Sequence, residues 1–299
     1  SASEDVETFL TSLEGLTDSE KAIQILTSAA RYKSTDGGEY ELRRTLDSLT
    51  DLDEKAMDAF IEAGLADSIL LAPERFRIQD PDTVIQKVTS ADYLVQHEPL
   101  NKYLTDLSIY KGRKEPYSRE TLKALLTNGY PYVVFQLDWL TAMFPSVEGL
   151  DLLPESFDKE YISQGFVHHI DKFPQEMRDE IVRRLLRSPY AAPQMERIGG
   201  YKYGTPEAFI EKLDLLSQDV RDELAAVLIS HNDPYIARDI LANAEKFRDI
   251  DYIKIAEVLV TAAAWDKRMQ ISTYIDNIPV EHHTKIAEMV LEGLIKDPG

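Results

Sequence analysis

Apolar residues fall at i, i+1, i+4 and i+5 in four successive segments of the second half of the chain, the stripe of a helix buried along one side. Ile181, Val182, Leu185 and Leu186 form the first stripe, and Leu224, Ala225, Leu228 and Ile229 the second. Ile255, Ala256, Leu259 and Val260 follow, then Ile286, Ala287, Val290 and Leu291, and the last two copies share the tetrapeptide KIAE at Lys254 and Lys285. The spacings are 43, 31 and 31 residues. A second series precedes each stripe at the same spacings: Phe166, Ile170 and Phe173; Phe209, Leu213 and Leu216; Ile240, Ala244 and Phe247; Ile271, Ile275 and Ile278. Pro174, Ser217, Arg248 and Pro279 stand between the two. A proline at a helix start gives up no hydrogen bond, and a serine hydroxyl can cap one. The pattern predicts four helical hairpins in series, which must stack because one hairpin alone leaves its apolar face in water.

A looser pair occupies the N-terminal part, where LTDSEKA at Leu16–Ala22 returns as LTDLDEKA at Leu49–Ala56. Asp18 or Ser19 in the first copy, and Asp51 or Asp53 in the second, are N-cap candidates. Residues 75–150 break the period but still read as helices, around Asp82–Thr89, Leu100–Tyr110, Ser118–Thr127 and Tyr132–Phe144. No alternating strand pattern occurs. The expected organisation is therefore an N-terminal helical region at 1–150, with repeat-like hairpins at 4–70, and a repeat region at 157–299 carrying an insertion at 189–206.

The segment from Tyr161 to Ile295 resembles short HEAT-type repeats, through its two-helix unit, its 31-residue period and NDPYIAR at Asn232–Arg238. That heptapeptide is similar to the family's Asp-Pro followed by an apolar residue and an arginine. The resemblance implies an all-α protein: an α-solenoid of helical hairpins in a right-handed superhelical array, here with an irregular helical middle. It also implies a scaffold or binding surface, and no catalytic residue is carried over from it.

Charge narrows the partners. The formal charge is −20, with 53 acids against 33 bases, and residues 1–100 hold 21 acids against 9 bases. Such a chain repels polyanions, so the expected partner is a neutral or basic protein or peptide, and nucleic acid is disfavoured. The absence of cysteine removes disulfides, cysteine-ligated zinc and thiol catalysis. No stretch is apolar enough for a membrane span, which fits a soluble, cytoplasmic protein with export as an alternative.

Candidate sites are few. The insertion carries Arg197 and then Tyr201, Lys202 and Tyr203 among glycines, and tyrosines give contact area at low entropy cost. Just before it, Arg183, Arg184 and Arg187 form a basic cluster able to hold a carboxylate or phosphate. Lys102, Lys111, Arg113, Lys114, Arg119 and Lys123 alternate with Tyr103, Tyr110 and Tyr117, the profile of a nucleic-acid surface. Asp138 on an apolar segment, with Tyr130, Tyr132 and Trp139, marks a candidate pocket, since a carboxylate there needs a partner or a raised pKa. The histidine pairs at 168–169 and 282–283 lack chelating spacing, so no metal or other cofactor is expected. Neither GxSxG, a P-loop nor GxGxxG occurs. The leading expectation is a non-enzymatic scaffold; the alternatives are an enzyme or small-ligand protein with its pocket in 75–150, and nucleic-acid binding through the basic patches.

Overall fold

The computed structural model of the chain describes residues 2–32, 37–78, 80–106, 117–136, 148–157, 160–189, 205–263, 266 and 269–296. Every regular element among them is helical, apart from an isolated parallel bridge between Leu52 and Phe76. None of these helices is long and apolar enough to cross a membrane. The chain divides into two compact units: one runs to Asn128 and includes Gln136, and the other takes Gly129–Phe135 and the described residues from 148 onward.

The first unit contains α1 (Ala2–Ser12), α2 (Asp18–Tyr32), α3 (Gly38–Ser48), α4 (Glu54–Glu62), α5 (Ala66–Leu71), α6 (Pro81–Thr89), α7 (His97–Thr105) and α8 (Arg119–Thr127). Helices two apart pack together: α2 on α4, α4 on α6 and α6 on α8, with α1 on α3 and α5 on α7 alongside. The stretch that breaks the sequence period, from residue 75 onward, thus continues the same packing. The capping differs from expectation in one place. Thr17 rather than Asp18 or Ser19 caps α2, its hydroxyl accepting from the Glu20 amide at 3.2 Å while the Glu20 carboxylate accepts from the Thr17 amide at 2.9 Å. Asp53 caps α4 by accepting from the Ala56 amide.

The second unit contains α9 (Pro131–Gln136, of which Gln136 groups with the first unit), α10 (Glu160–His168), α11 (Gln175–Leu186), α12 (Thr205–Ile210), α13 (Gln218–Ser230), α14 (Pro234–Ala242), α15 (Tyr252–Ala263) and α16 (His283–Lys296). α10 packs on α12, α12 on α14, and α14 on the 3₁₀ helix Ile271–Asn277, while α11 packs on α13 and α15 on α16. The first helix of each expected hairpin is shorter than its stripe. After α10, α12 and α14 the chain makes a three-residue 3₁₀ turn, at Ile170–Lys172, Leu213–Leu215 and Ala244–Lys246. Phe173, Leu216 and Phe247 then stand in extended backbone. All nine apolar residues of these three series are buried, because a helix followed by a turn keeps them on one side as well as a continuous helix does. The second-helix stripes are buried through α15 except at the last positions of the first and third, where Leu186 and Val260 are half-buried; Ile255, Ala256 and Leu259 are each 0% exposed. In α16 the stripe opens: Ile286 is buried but Leu291 is 60% exposed.

One device recurs in both units. An aspartate on one helix accepts a backbone N–H at the N-cap of the helix two further along, or in the turn just ahead of it. Asp18 accepts from Thr50 ahead of α4, and Ser19 beside it accepts from Asp53. Asp67 of α5 accepts from Gln96, the N-cap of α7. Asp82 of α6 accepts from Ser118, the N-cap of α8, at 3.0 Å, and from the Thr121 hydroxyl. Asp179 of α11 accepts from Ser217 at 3.0 Å, and Asp222 of α13 from Arg248 at 3.0 Å. Helix starts carry N–H groups without an intrahelical acceptor and a partial positive charge, so a carboxylate satisfies both. In the second unit a glutamine completes the clamp: Gln175 donates to the Leu215 carbonyl and to Asp179, and Gln218 donates to the Lys246 carbonyl and to Asp222.

Candidate binding groove

The packing of α4 on α6 leaves an open groove of about 600 Å³ in the first unit, lined by Asp58, Ile61 and Glu62 of α4, Thr83, Gln86 and Lys87 of α6, and Ser90–Tyr93. Glu54, Asp58 and Glu62 recur every four residues and so share a face of α4. Lys87 reaches across to two of them, its Nζ 2.9 Å from Glu54 and 2.7 Å from Asp58. The hydrogen bond to Asp58, above all, holds this ammonium above the ordinary lysine range, while burial pulls the other way. Tyr93 closes the end of the groove. Its hydroxyl donates to the Ile61 carbonyl at 2.6 Å and accepts from the Ala66 amide, and burial pushes its phenol pKa up.

Two carboxylates in the groove lack a partner. The Glu62 and Asp92 side chains are exposed and make no hydrogen bond or ion pair among the described residues. The charged lining is thus Asp58, Glu62 and Asp92 against Lys87, and the single lysine is already held by α4. Such a groove can accept a cation at its open end, with the Tyr93 ring nearby as apolar surface. None of these residues stood out in the sequence, where acids four apart on a helix read as a solvated face. The available signal was Lys87, 33 residues beyond Glu54, the offset that relates the two LTD segments.

The other sequence candidates are dispersed. Arg183 is bound to Glu223 at 3.1 Å, and Arg184 to Glu180 at 2.8 Å and to the Pro154 carbonyl at 2.7 Å. Arg187 is the exposed member, its side chain 68% exposed and 3.5 Å from Glu180. Arg197, Tyr201, Lys202 and Tyr203 lie outside the described residues, as do Asp138 and Trp139. Tyr130 is 1% exposed, whereas Tyr132 on α9 is 36% exposed. Tyr103 and Tyr117 are core residues, 4% and 2% exposed, so neither ring is free to stack on a base. Tyr110, Lys111, Arg113 and Lys114 lie outside the described residues. His283 contacts the Ile278 carbonyl at 2.8 Å and His282 stacks on Tyr252. No group of His, Asp or Glu among the described residues is arranged to hold a metal ion.

Compared with known proteins, the chain matches no family model, no curated protein and no solved structure.

Proposed function

We propose that the chain is a non-enzymatic helical-repeat scaffold, an α-solenoid of HEAT-like hairpins, that docks a basic segment of a protein or peptide partner in the groove between α4 and α6. The observation that carries the reading is the pair of unpartnered carboxylates, Glu62 and Asp92, in a groove whose single lysine is already bound. The recurring aspartate clamps support the scaffold half, since in both units they tie α2, α5, α6, α11 and α13 to the segment that leads into the helix two further on. An overall charge of −20 draws cationic partners and repels anionic ones.

A solvent-exposed ion pair contributes about 0.2–1 kcal/mol. A segment that meets both carboxylates therefore gains roughly 2–30-fold in affinity from them. The test is fluorescence anisotropy with a labelled lysine- and arginine-bearing peptide, an acidic peptide of equal length, and the full chain with or without Glu62→Gln and Asp92→Asn. Binding of the basic peptide alone, weakened within that range by the double substitution and by salt, is the expected result. Equal binding of both peptides, or none of either, would overturn the reading.

A further inference from the structure

His169 closes α10 and precedes the 3₁₀ turn at Ile170–Lys172. Its ring centroid lies 5.7 Å from that of Tyr132 and 5.7 Å from that of Phe135, both on α9, and 4.9 Å from that of His168. Phe135 in turn packs edge-on against Phe173 at 5.0 Å, which fixes the ring that covers the imidazole. Nε2 of His169 is buried and meets no hydrogen-bond partner among the described residues. Glycines let α9 come this close. A Cβ at Gly129, where φ is +91°, would stand 2.6 Å from Ile162, and one at Gly165 would stand 3.2 Å from Pro131.

We propose that His169 is an acid-sensitive latch between α9 and α10: the neutral ring holds α9 against α10 within the second unit, and protonation releases it. A neutral ring protonated on Nδ1 leaves the buried Nε2 without a proton, and charging the ring puts an N–H there with no acceptor among the described residues. A buried unsatisfied donor costs about 1–3 kcal/mol, more when charged. Cation–π attraction to the two tilted rings returns about 0.5–2 kcal/mol, which offsets only part of the cost of an orphaned charged donor.

The charged and titratable groups around the ring come from every neighbouring element. His168 on α10, Lys172 on the turn and Lys212 beyond α12 oppose a positive imidazole, Asp171 favours it, and α9 offers the Tyr132 phenol. Burial first, and His168 second, depress the His169 pKa. A histidine depressed in the folded state contributes stability that is present above its unfolded pKa, about 6.5, and lost as pH falls through the folded value.

The test is hydrogen exchange of the full chain, corrected for intrinsic rates, at pH 7.5 and pH 5.5, reading the segment 130–136. If the folded ring stays neutral throughout, the unfolded imidazole sets a ceiling of about tenfold on the loss of protection across that range. A severalfold loss in the wild type that vanishes in His169→Phe is the expected outcome. A flat wild-type profile, or an equal loss in His169→Phe, overturns the latch. So does an equal loss across 236–242, which would report general acid unfolding. Should His169→Phe fail to fold, an NMR titration of the wild-type His169 ring decides: titration at or above pH 6.5 refutes the latch, and titration below it with concurrent loss of α9 resonances supports it.

Discussion

Replacing Asp82 by alanine removes the acceptor that α6 offers to the start of α8. Asp82 is 9% exposed and Thr121 is 0% exposed, so the Thr121 hydroxyl does not find water easily once the carboxylate is gone, and the amide of the exposed Ser118 loses its charged acceptor. A hydrogen bond to a charged acceptor contributes about 1.5–3 kcal/mol, and an orphaned buried donor costs a comparable amount. Two such bonds place the loss for Asp82→Ala at about 3–5 kcal/mol. Asp82→Asn keeps an acceptor oxygen in place, and its cost falls to about 1–2 kcal/mol. Urea unfolding followed by circular dichroism reads both, and a double-mutant cycle with Thr121→Val isolates their coupling, expected at about 1–2 kcal/mol. A loss below about 1 kcal/mol for Asp82→Ala, or a coupling near zero, would refute the clamp as a stabilising device.

Leu259→Ala empties a fully buried position of α15 and costs about 2–5 kcal/mol in the same assay. Leu291→Ala on α16, a stripe position that is 60% exposed, costs under about 1 kcal/mol. Gly129→Ala combines a positive φ with a 2.6 Å approach to Ile162, and is expected to lower the thermal midpoint of the second unit, as read by calorimetry. Lys87→Met removes the bridge to Glu54 and Asp58. The folded pKa of Lys87 is raised above 10.5, so its contribution is complete below that pH and is lost as pH rises through the folded value. An unfolding series from pH 9 to pH 12 should therefore converge for wild type and Lys87→Met at the alkaline end.

Helix content and most of the core were legible from periodicity. Residues such as Ile255, Ala256 and Leu259 reveal a buried helix face, although in α16 the same spacing ends on an exposed Leu291. The same spacing concealed the break before each second helix, because Phe166, Ile170 and Phe173 share one side whether the last of them ends a helix or follows a 3₁₀ turn. The clamps left a fainter trace. QEMRDE at 175–180 and QDVRDE at 218–223 repeat the glutamine and aspartate that reach the next helix start, at the same 43-residue spacing as the stripes. One end of each such bond is a backbone N–H, which any residue type supplies, so the sequence shows only half of the interaction. The groove was hidden for a related reason: Glu62 and Asp92 are 30 residues apart, and only the packing of α4 on α6 brings them to one depression.

The most direct test of the docking proposal is photo-crosslinking of a basic peptide to the full chain carrying a photoreactive residue at Gln86, which is exposed and lines the groove, or at Glu257, which is exposed on α15 of the other unit. A salt-sensitive adduct at Gln86 and none at Glu257 is the expected result. Equal adducts at both positions, or an adduct at Glu257 alone, would contradict it.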